Sequence, residues 1–273
     1  MKSAPTPGLA LPALRALAVA ATMACTASAA LAAGASLSIT SFTVAAEDYS
    51  GNYVWTLDAY QDYNLSALDG GGLYGAAADS YTANDWNLGL NRLAQTSYAQ
   101  ATGNTVRFTD GATALTTAGF NLGASALPGP YPAGTPASYA NASAVQAGAF
   151  TLIDENGNAA AGRITFDIYY NFDVSGPGGG SYGQTVLSLL YSSDATDTVS
   201  FADGLLSNAG AASTSGHFTW AFTLAAGEVA YYTLSSSAIA AAVPEPSALA
   251  LSVAGLFTVG ALLRRRREAV KAG

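Results

Sequence analysis

The chain offers few residues for nucleophilic or metal chemistry. Among its 273 residues there is one histidine, His217, and one cysteine, Cys25, which lies in an apolar stretch near the N-terminus. A zinc site of the usual kind needs several histidine or cysteine ligands, so none is expected. His217 falls on the polar side of an alternating segment, which predicts a surface residue. Catalysis through this histidine is therefore not expected.

Paired carboxylates are the remaining route to catalysis. Glycoside hydrolysis needs two acids held on either side of the scissile bond, and the chain offers Asp154 with Glu155, or Asp167 with Asp173. The first pair lies in a predicted turn and the second on the exposed face of a predicted strand. Turn formation and solubility explain both pairs without a function. A carbohydrate-active enzyme is kept as an alternative, and a protein that is not an enzyme is expected.

Calcium is the one cofactor for which the sequence supplies candidate ligands. This hard cation prefers oxygen atoms from carboxylates, amides and backbone carbonyls. The segments DENGN and DATD are rich in them and contain Asp154, Asn156, Asp194 and Asp197. Neither segment has the ligand spacing of an EF-hand loop. A solvated loop explains both segments equally well, so no cofactor is otherwise expected.

One tyrosine is placed where it can contact a sugar. Tyr169 is predicted to point away from the core, beside Asp167, Asn171 and Asp173. An aromatic ring among acid and amide groups can stack on a sugar ring and bind its hydroxyl groups. A strand tyrosine also occurs for packing reasons alone, and both interpretations stay open.

Period-two alternation dominates the segments that carry these residues. Ile164, Phe166, Ile168, Tyr170, Phe172 and Val174 share one parity, which predicts a half-buried strand. Residues 150–153 are predicted to pair with it through a hairpin at Asn156-Gly157. Further alternating runs cover 185–191, 217–224 and 228–234, with Phe218, Trp220, Phe222 and Leu224 facing inward.

The first half of the chain is less regular. Leu37 and Ile39 have one parity and Phe42 and Val44 the other, which predicts a bulge near Thr40-Ser41. A helix is expected over 86–101, and a Pro-rich loop or linker over 124–147. Many short strands without a βαβ rhythm predict an all-β fold. We expect an antiparallel, jelly-roll or Greek-key-like β-sandwich over residues 34–243.

The charge of this central region excludes one class of partner. Residues 34–243 hold three basic and 16 acidic residues, a net charge of −13. Nucleic-acid affinity depends on Lys and Arg that neutralise phosphates, so no nucleic-acid partner is expected. A chain without residues 1–33 also contains no cysteine, so no disulfide can support the core.

The N-terminus has the pattern of a secretory signal peptide. Lys2 and Arg15 precede an apolar run, and the small-residue triplets Ala27-Ser28-Ala29 and Ala30-Leu31-Ala32 follow it. A positive start, an apolar centre and small residues at the cleavage site are typical of such a segment. Residues 1–33 are therefore predicted to direct export.

The C-terminus predicts a membrane span. Residues 247–263 contain no charge, and as a helix they would extend about 25 Å, which is short but sufficient to cross a bilayer. Four arginines follow, Arg264, Arg265, Arg266 and Arg267, and positive residues stay on the cytoplasmic side. The bulk of the chain would then lie outside, in agreement with the predicted signal peptide.

The residues before the span complete a known pattern. Pro244-Glu245-Pro246 has two fixed φ angles and two missing backbone donors, which favours an extended, exposed tripeptide. Pro-Glu-Pro, a short apolar run and an arginine cluster over 244–273 resemble the PEP-CTERM sorting signal of Gram-negative bacteria.

The resemblance implies that this chain is a substrate of an exosortase, a membrane processing enzyme. Pro244, Glu245 and Pro246 would be recognised, the tail removed, and the protein delivered to the cell surface or the extracellular matrix. A structural, adhesive or exopolysaccharide-associated role in a biofilm is expected from the resemblance. The alternatives are the paired-carboxylate enzyme and a single-span membrane protein that keeps its tail.

Overall fold

The computed structural model describes the central part of the chain, residues 32–47, 53–54, 60–83, 90–105, 109–110, 114–117, 120–132, 134–193 and 199–243. These residues form β1 (Ala33–Glu47), β2 (Tyr53–Val54), β3 (Tyr60–Asp69), β4 (Gly75–Ala83), β5 (Leu90–Gln95), β6 (Ala99–Thr105), β7 (Thr109–Asp110), β8 (Ala114–Thr117), β9 (Phe120–Ala126), β10 (Ser138–Leu152), β11 (Gly162–Gly176), β12 (Tyr182–Ser193), β13 (Val199–Ser207), β14 (Gly210–Leu224) and β15 (Ala230–Ala242). The predicted all-β class is confirmed.

The strands form two antiparallel sheets packed as a sandwich. Sheet I has the order β14-β11-β1-β9-β6-β5, with β8 also paired to β1 and β7 paired to β8. Sheet II has the order β13-β12-β15-β10-β3-β4, with β2 paired to β10. Buried residues alternate with more exposed ones along β3, β10, β11, β12 and most of β15, so one face of each sheet is buried against the other.

The clearest predicted strand and the predicted bulge are both confirmed. Every second residue of β11 from Ile164 to Val174 is buried. The register between β1 and β11 shifts between Ile39 and Ser41, which allows Leu37, Ile39 and Phe42 all to be buried. The extra residue, Thr40, is exposed and donates a hydrogen bond from its Oγ1 to the Tyr169 carbonyl, at 3.2 Å.

The two ends of the sandwich have different cores. At the wide end, where β10 ends and β11 begins, the core is aromatic. The Phe166 ring lies with its centroid 5.6–6.2 Å from those of Phe42, Phe150, Tyr191, Phe222 and Tyr232. At the narrow end, where β1 begins and β15 ends, the buried residues are mostly alanines: Ala33, Ala35, Ala99, Ala101, Ala124, Ala126, Ala140, Ala240 and Ala242.

Small residues allow the sheets to approach closely at the narrow end. A Cβ atom added to Gly183 of β12 would lie 1.9 Å from the Gly34 carbonyl oxygen of β1. Sheets that carry larger side chains pack about 10 Å apart. The described core residues all lie between Ala33 and Ala242, within one compact unit, so this unit is expected to fold by itself.

A buried carboxylate joins the sheets at the narrow end. Asp69 ends β3 in sheet II and is 2% exposed. Its oxygens accept hydrogen bonds from Thr96 Oγ1 at 2.5 Å and from the backbone N–H groups of Ser97 and Tyr98, each at 3.1 Å. These donors belong to the turn between β5 and β6 in sheet I, so one side chain fixes two elements of different sheets.

A second polar contact crosses the core. Tyr170 of β11 donates a hydrogen bond from its hydroxyl to Asp203 Oδ2 of β13, at 2.5 Å. Burial, together with this carboxylate, raises the pKa of Tyr170 above its usual value. The ring has room because Gly216 lies opposite, where a Cβ would be 2.1 Å from it.

Two local predictions are wrong. Residues 150–153 do not form a hairpin with the following strand, because β10 lies in sheet II and β11 in sheet I. The Asn156-Gly157 turn does form, with Gly157 at φ 81°, but it connects the two sheets. The helix expected over 86–101 is also wrong, since the described residues there form the antiparallel hairpin β5–β6.

Several predicted segments lie partly or wholly outside the described residues. The loop or linker expected over 124–147 is wrong for more than half of its length, because 124–126 belong to β9 and 138–147 to β10; the described residues between them, 127–132 and 134–137, are outside strands. The signal peptide, Pro244-Glu245-Pro246, the span 247–263 and Arg264–Arg267 are outside the described residues. Within the part that is described, no helix is long and apolar enough to cross a membrane.

Candidate functional site

The outer face of β11 and β14 in sheet I carries the sugar-binding candidate predicted from the sequence. Because apolar residues of β11 point inward, Asp167, Tyr169, Asn171 and Asp173 point away from the core. Tyr169 is 43% exposed. The structure thus places these four side chains along one strand, on the face where the sequence predicted them.

Pairing with β14 adds two residues to this face. His217 lies directly opposite Tyr169 in register, and their rings stack with centroids 4.0 Å apart and planes 7° apart. Thr219 lies opposite Asp167 and donates a hydrogen bond from its Oγ1 to Asp167 Oδ1 at 2.8 Å. His217 Nε2 contacts the same carboxylate oxygen. We call Asp167, Tyr169, His217 and Thr219 the stacked cluster.

The stacked cluster does not have the geometry of a catalytic triad. Thr219 Oγ1 lies 2.8 Å from His217 Nε2, and Asp167 Oδ1 contacts that same nitrogen. A triad needs the nucleophile and the acid on opposite ring nitrogens, so that the imidazole can accept a proton on one side while held on the other. The cluster is better suited to holding the Tyr169 ring in one orientation.

A shallow depression of about 570 Å³ continues the same face towards the narrow end. Residues with small or polar side chains from five strands of sheet I line it, among them Ser36, Thr102, Gly123, Asp173 and Ser213. Hydroxyl and carboxylate groups predominate over large apolar groups there. Such a surface offers hydrogen bonds to a polar ligand but no aromatic ring for stacking.

The carboxylate pair Asp167 and Asp173 does not fit glycoside hydrolysis. They are six positions apart along β11, which places their Cα atoms roughly 20 Å apart at about 3.4 Å per residue. Catalytic carboxyl groups stand about 5–9.5 Å apart, so these two cannot flank one glycosidic bond. Asp154, of the other pair, accepts hydrogen bonds from the backbone N–H groups of Asn156 and Asn158, at 2.9 and 2.8 Å.

The calcium candidates are only partly within the described residues. Hydrogen bonds to the Asp154 carboxylate, chiefly from Asn158 and also from Asn156, lower the pKa of Asp154. Asp194 and Asp197 lie outside the described residues. Over the ranges that the structure covers, no group of three or more His, Cys, Asp or Glu side chains is placed to hold a metal ion. Calcium therefore stays a prediction.

One serine lies in a sequence pattern that is typical of nucleophiles. Residues 179–183 match Gly-x-Ser-x-Gly, the turn that exposes the nucleophile of many hydrolases. In that motif a helix follows the serine, whereas here Ser181 is followed by β12. Ser181 is 4% exposed, and its Oγ accepts a hydrogen bond from the Val243 N–H at 2.9 Å. The serine therefore holds the end of β15 in place.

Comparison of the chain with protein-family models and with curated proteins gave no match.

Proposed function

We propose that this chain is the precursor of an exported cell-surface or matrix protein that associates with exopolysaccharide. The observation that carries the proposal is the order of Pro244-Glu245-Pro246, the uncharged run 247–263 and Arg264–Arg267. In this proposal the run is a single membrane helix, an exosortase-type enzyme recognises the tripeptide, and the sandwich is released to the surface or the medium. The strand connections, which repeatedly cross between sheets, favour a jelly-roll or Greek-key-like topology.

The stacked cluster and the adjoining depression support the choice of a polysaccharide as the partner. Tyr169 is 43% exposed, and its ring is held by stacking on His217. An aromatic ring that is already ordered loses little entropy when it stacks on a sugar. The net charge of −13 between 34 and 243 disfavours polyanions, so a polymer with few negative charges fits best.

Replacing Tyr169 with alanine is expected to weaken binding of the sandwich to the exopolysaccharide of the producing cells. Loss of one stacked ring costs about 1–2 kcal/mol, or about a 5- to 30-fold rise in Kd. Co-sedimentation of residues 32–243 with the polysaccharide measures this change. The matched control is Tyr231→Ala, which removes a 47% exposed tyrosine from the outer face of sheet II.

If Tyr231→Ala weakens binding as much as Tyr169→Ala, the stacked cluster is not the site. If the unaltered sandwich does not sediment with the polysaccharide at all, the polysaccharide partner is wrong. The alternative of a glycan-active enzyme would gain support from turnover on a panel of glycans that is lost on substitution of an acid pair. Inactivity on that panel counts against it.

A further inference from the structure

Charged residues are absent from one end of the sandwich except for a single buried acid. Within the described residues, the narrow end has only Asp69, which is 2% exposed and bonded to the β5–β6 turn. The other described acids lie further towards the wide end, and on β11 the one nearest to the narrow end is Asp173. The narrow end comprises residues 32–35, 66–78, 94–101, 124–132, 134–141, 174–184, 206–212 and 239–243.

Large apolar side chains are exposed at this same charge-free end. Leu73 is 73% exposed and Tyr74 is 53% exposed in the turn between β3 and β4, and Leu127 follows β9. On the far side of sheet II, Leu206 of β13 is 59% exposed. Leu73 and Tyr74 lie at one edge of sheet II, beside β4, and Leu206 lies at its other edge, in β13. Apolar side chains exposed on both sides of an end without exposed charges mark a surface that contacts something other than water.

The apolar turn is held in a defined position. The Tyr74 ring stacks on Tyr131, with centroids 4.5 Å apart and planes 15° apart, and Tyr98 meets Tyr131 edge-on at 5.6 Å. Backbone bonds from Gly71 N–H to the Ala137 carbonyl (2.9 Å) and from Tyr74 N–H to the Asp69 carbonyl (3.2 Å) fix the turn. Its exposed residues are therefore presented by ordered backbone.

The chain itself indicates what this end contacts. β1 begins at the narrow end, and β15 ends there, with Val243 bonded to Ser181. Three residues, 244–246, separate Val243 from the uncharged run 247–263. The four steps from Val243 to residue 247 span about 14 Å at most, so a bilayer that holds this run must lie close to the narrow end.

We propose that the narrow end of the sandwich lies on the lipid surface while the tail is in the membrane. Leu73, Tyr74, Leu127 and Leu206 would enter the interfacial layer, where tyrosine is favoured, and the acidic wide end would face away from anionic headgroups. The proposal rests on the proposed function, because it takes the run 247–263 to be a membrane span. It adds that lipid binds the folded domain as well as its tail.

Single-cysteine labelling tests this surface, because the chain from residue 32 onward contains no cysteine. Three single-cysteine variants of residues 32–273 are each labelled with bimane: Leu73→Cys, Leu206→Cys and, as the control at the wide end, Asn156→Cys. The labelled chains are placed in vesicles of phosphatidylethanolamine and phosphatidylglycerol that carry nitroxide-labelled lipid. Labels at 73 and 206 are expected to lose roughly half of their fluorescence, since interfacial side chains lie about 5–10 Å into the headgroup boundary. The label at 156 is expected to be unaffected.

Two further measurements distinguish failure of the proposed membrane span from failure of the proposed lipid contact. Flotation of the vesicles reports whether the tail inserts, and its failure overturns the proposed membrane span. The labelled sandwich of residues 32–243 then tests the narrow end alone, by titration with the same vesicles. Quenching of the label at residue 73 supports lipid contact, and the absence of quenching overturns the proposal. If the tail inserts but the labels at 73, 206 and 156 are quenched equally or not at all, the proposal is also wrong. If the label at residue 73 becomes shielded from solvent as the protein concentration rises, without lipid present, the surface binds a second copy of this chain instead.

Discussion

Replacement of Phe166 with alanine is expected to lower the free energy of unfolding by about 3–5 kcal/mol. The Phe166 ring is fully buried and contacts aromatic rings from both sheets, including Phe42 in sheet I and Tyr232 in sheet II. Its loss would leave a cavity between strands that have no disulfide to hold them. Chemical denaturation of residues 32–243, followed by circular dichroism, measures the change.

Two companion variants define the mechanism of this loss. Phe166→Leu keeps most of the volume and is expected to cost markedly less than Phe166→Ala. Tyr169→Ala, three residues along the same strand but on the outer face, is expected to cost less than about 1 kcal/mol. Equal losses for Phe166→Ala and Tyr169→Ala would contradict the assignment of an aromatic core at the wide end.

Replacement of Asp69 with alanine is expected to cost about 3–5 kcal/mol, because three donors in the β5–β6 turn lose a charged acceptor. Hydrogen bonds to ionised groups each contribute about 1.5–3 kcal/mol, and neighbouring bonds do not simply add. Denaturation gives the free energy, and amide hydrogen exchange at Ser97 and Tyr98 reports whether the turn has opened.

The control for Asp69 lies on the same strand. Asp62 accepts hydrogen bonds from Asn64 and Thr82 at 3.0 Å, but in an exposed position. Asp62→Ala is therefore expected to cost less than about 1 kcal/mol. Asp69→Asn should fall between the two alanine variants, since an amide keeps one acceptor oxygen. Unchanged exchange at Ser97 and Tyr98 in Asp69→Ala would show that the carboxylate does not hold the turn.

Alternation of residue type was sufficient to predict individual strands of the sandwich. It predicted the inward residues of β11 and β14, and a change of parity predicted the bulge at Thr40. These features depend on neighbours along the chain, and side-chain direction in a strand follows a period of two. The outward direction of Tyr169 and the surface position of His217 follow from the same rule.

Pairing between strands was harder to predict, because it depends on contacts distant in sequence. The turn at Asn156-Gly157 has the composition of a hairpin, yet a turn of this kind can equally connect two sheets. Leu90 and Leu93 have helical spacing, which favours a helix. The segment instead forms β5, because it pairs with β6, whose alanines fit the narrow end. For such short apolar runs, tertiary contacts override local preference.

The stacked cluster, likewise, could be predicted from the sequence only in part. Asp167 and Tyr169 were predicted to share a face from the sequence of β11 alone. Their contacts with His217 and Thr219 required the register of β11 against β14, which places side by side residues that are 48 and 52 positions apart in the chain. The polar parity of His217 and Thr219 was visible in the sequence, and a prediction that β14 pairs with β11 would have found the cluster.

The most direct test of the proposed function is the intact mass of the protein recovered from its own cells, in separate membrane and extracellular fractions. We expect an extracellular species that begins near residue 33 and ends close to Val243–Pro246, which corresponds to a sandwich released from its tail. A chain that keeps residues 247–273 and stays in the membrane fraction would contradict release and leave the C-terminus as a permanent anchor.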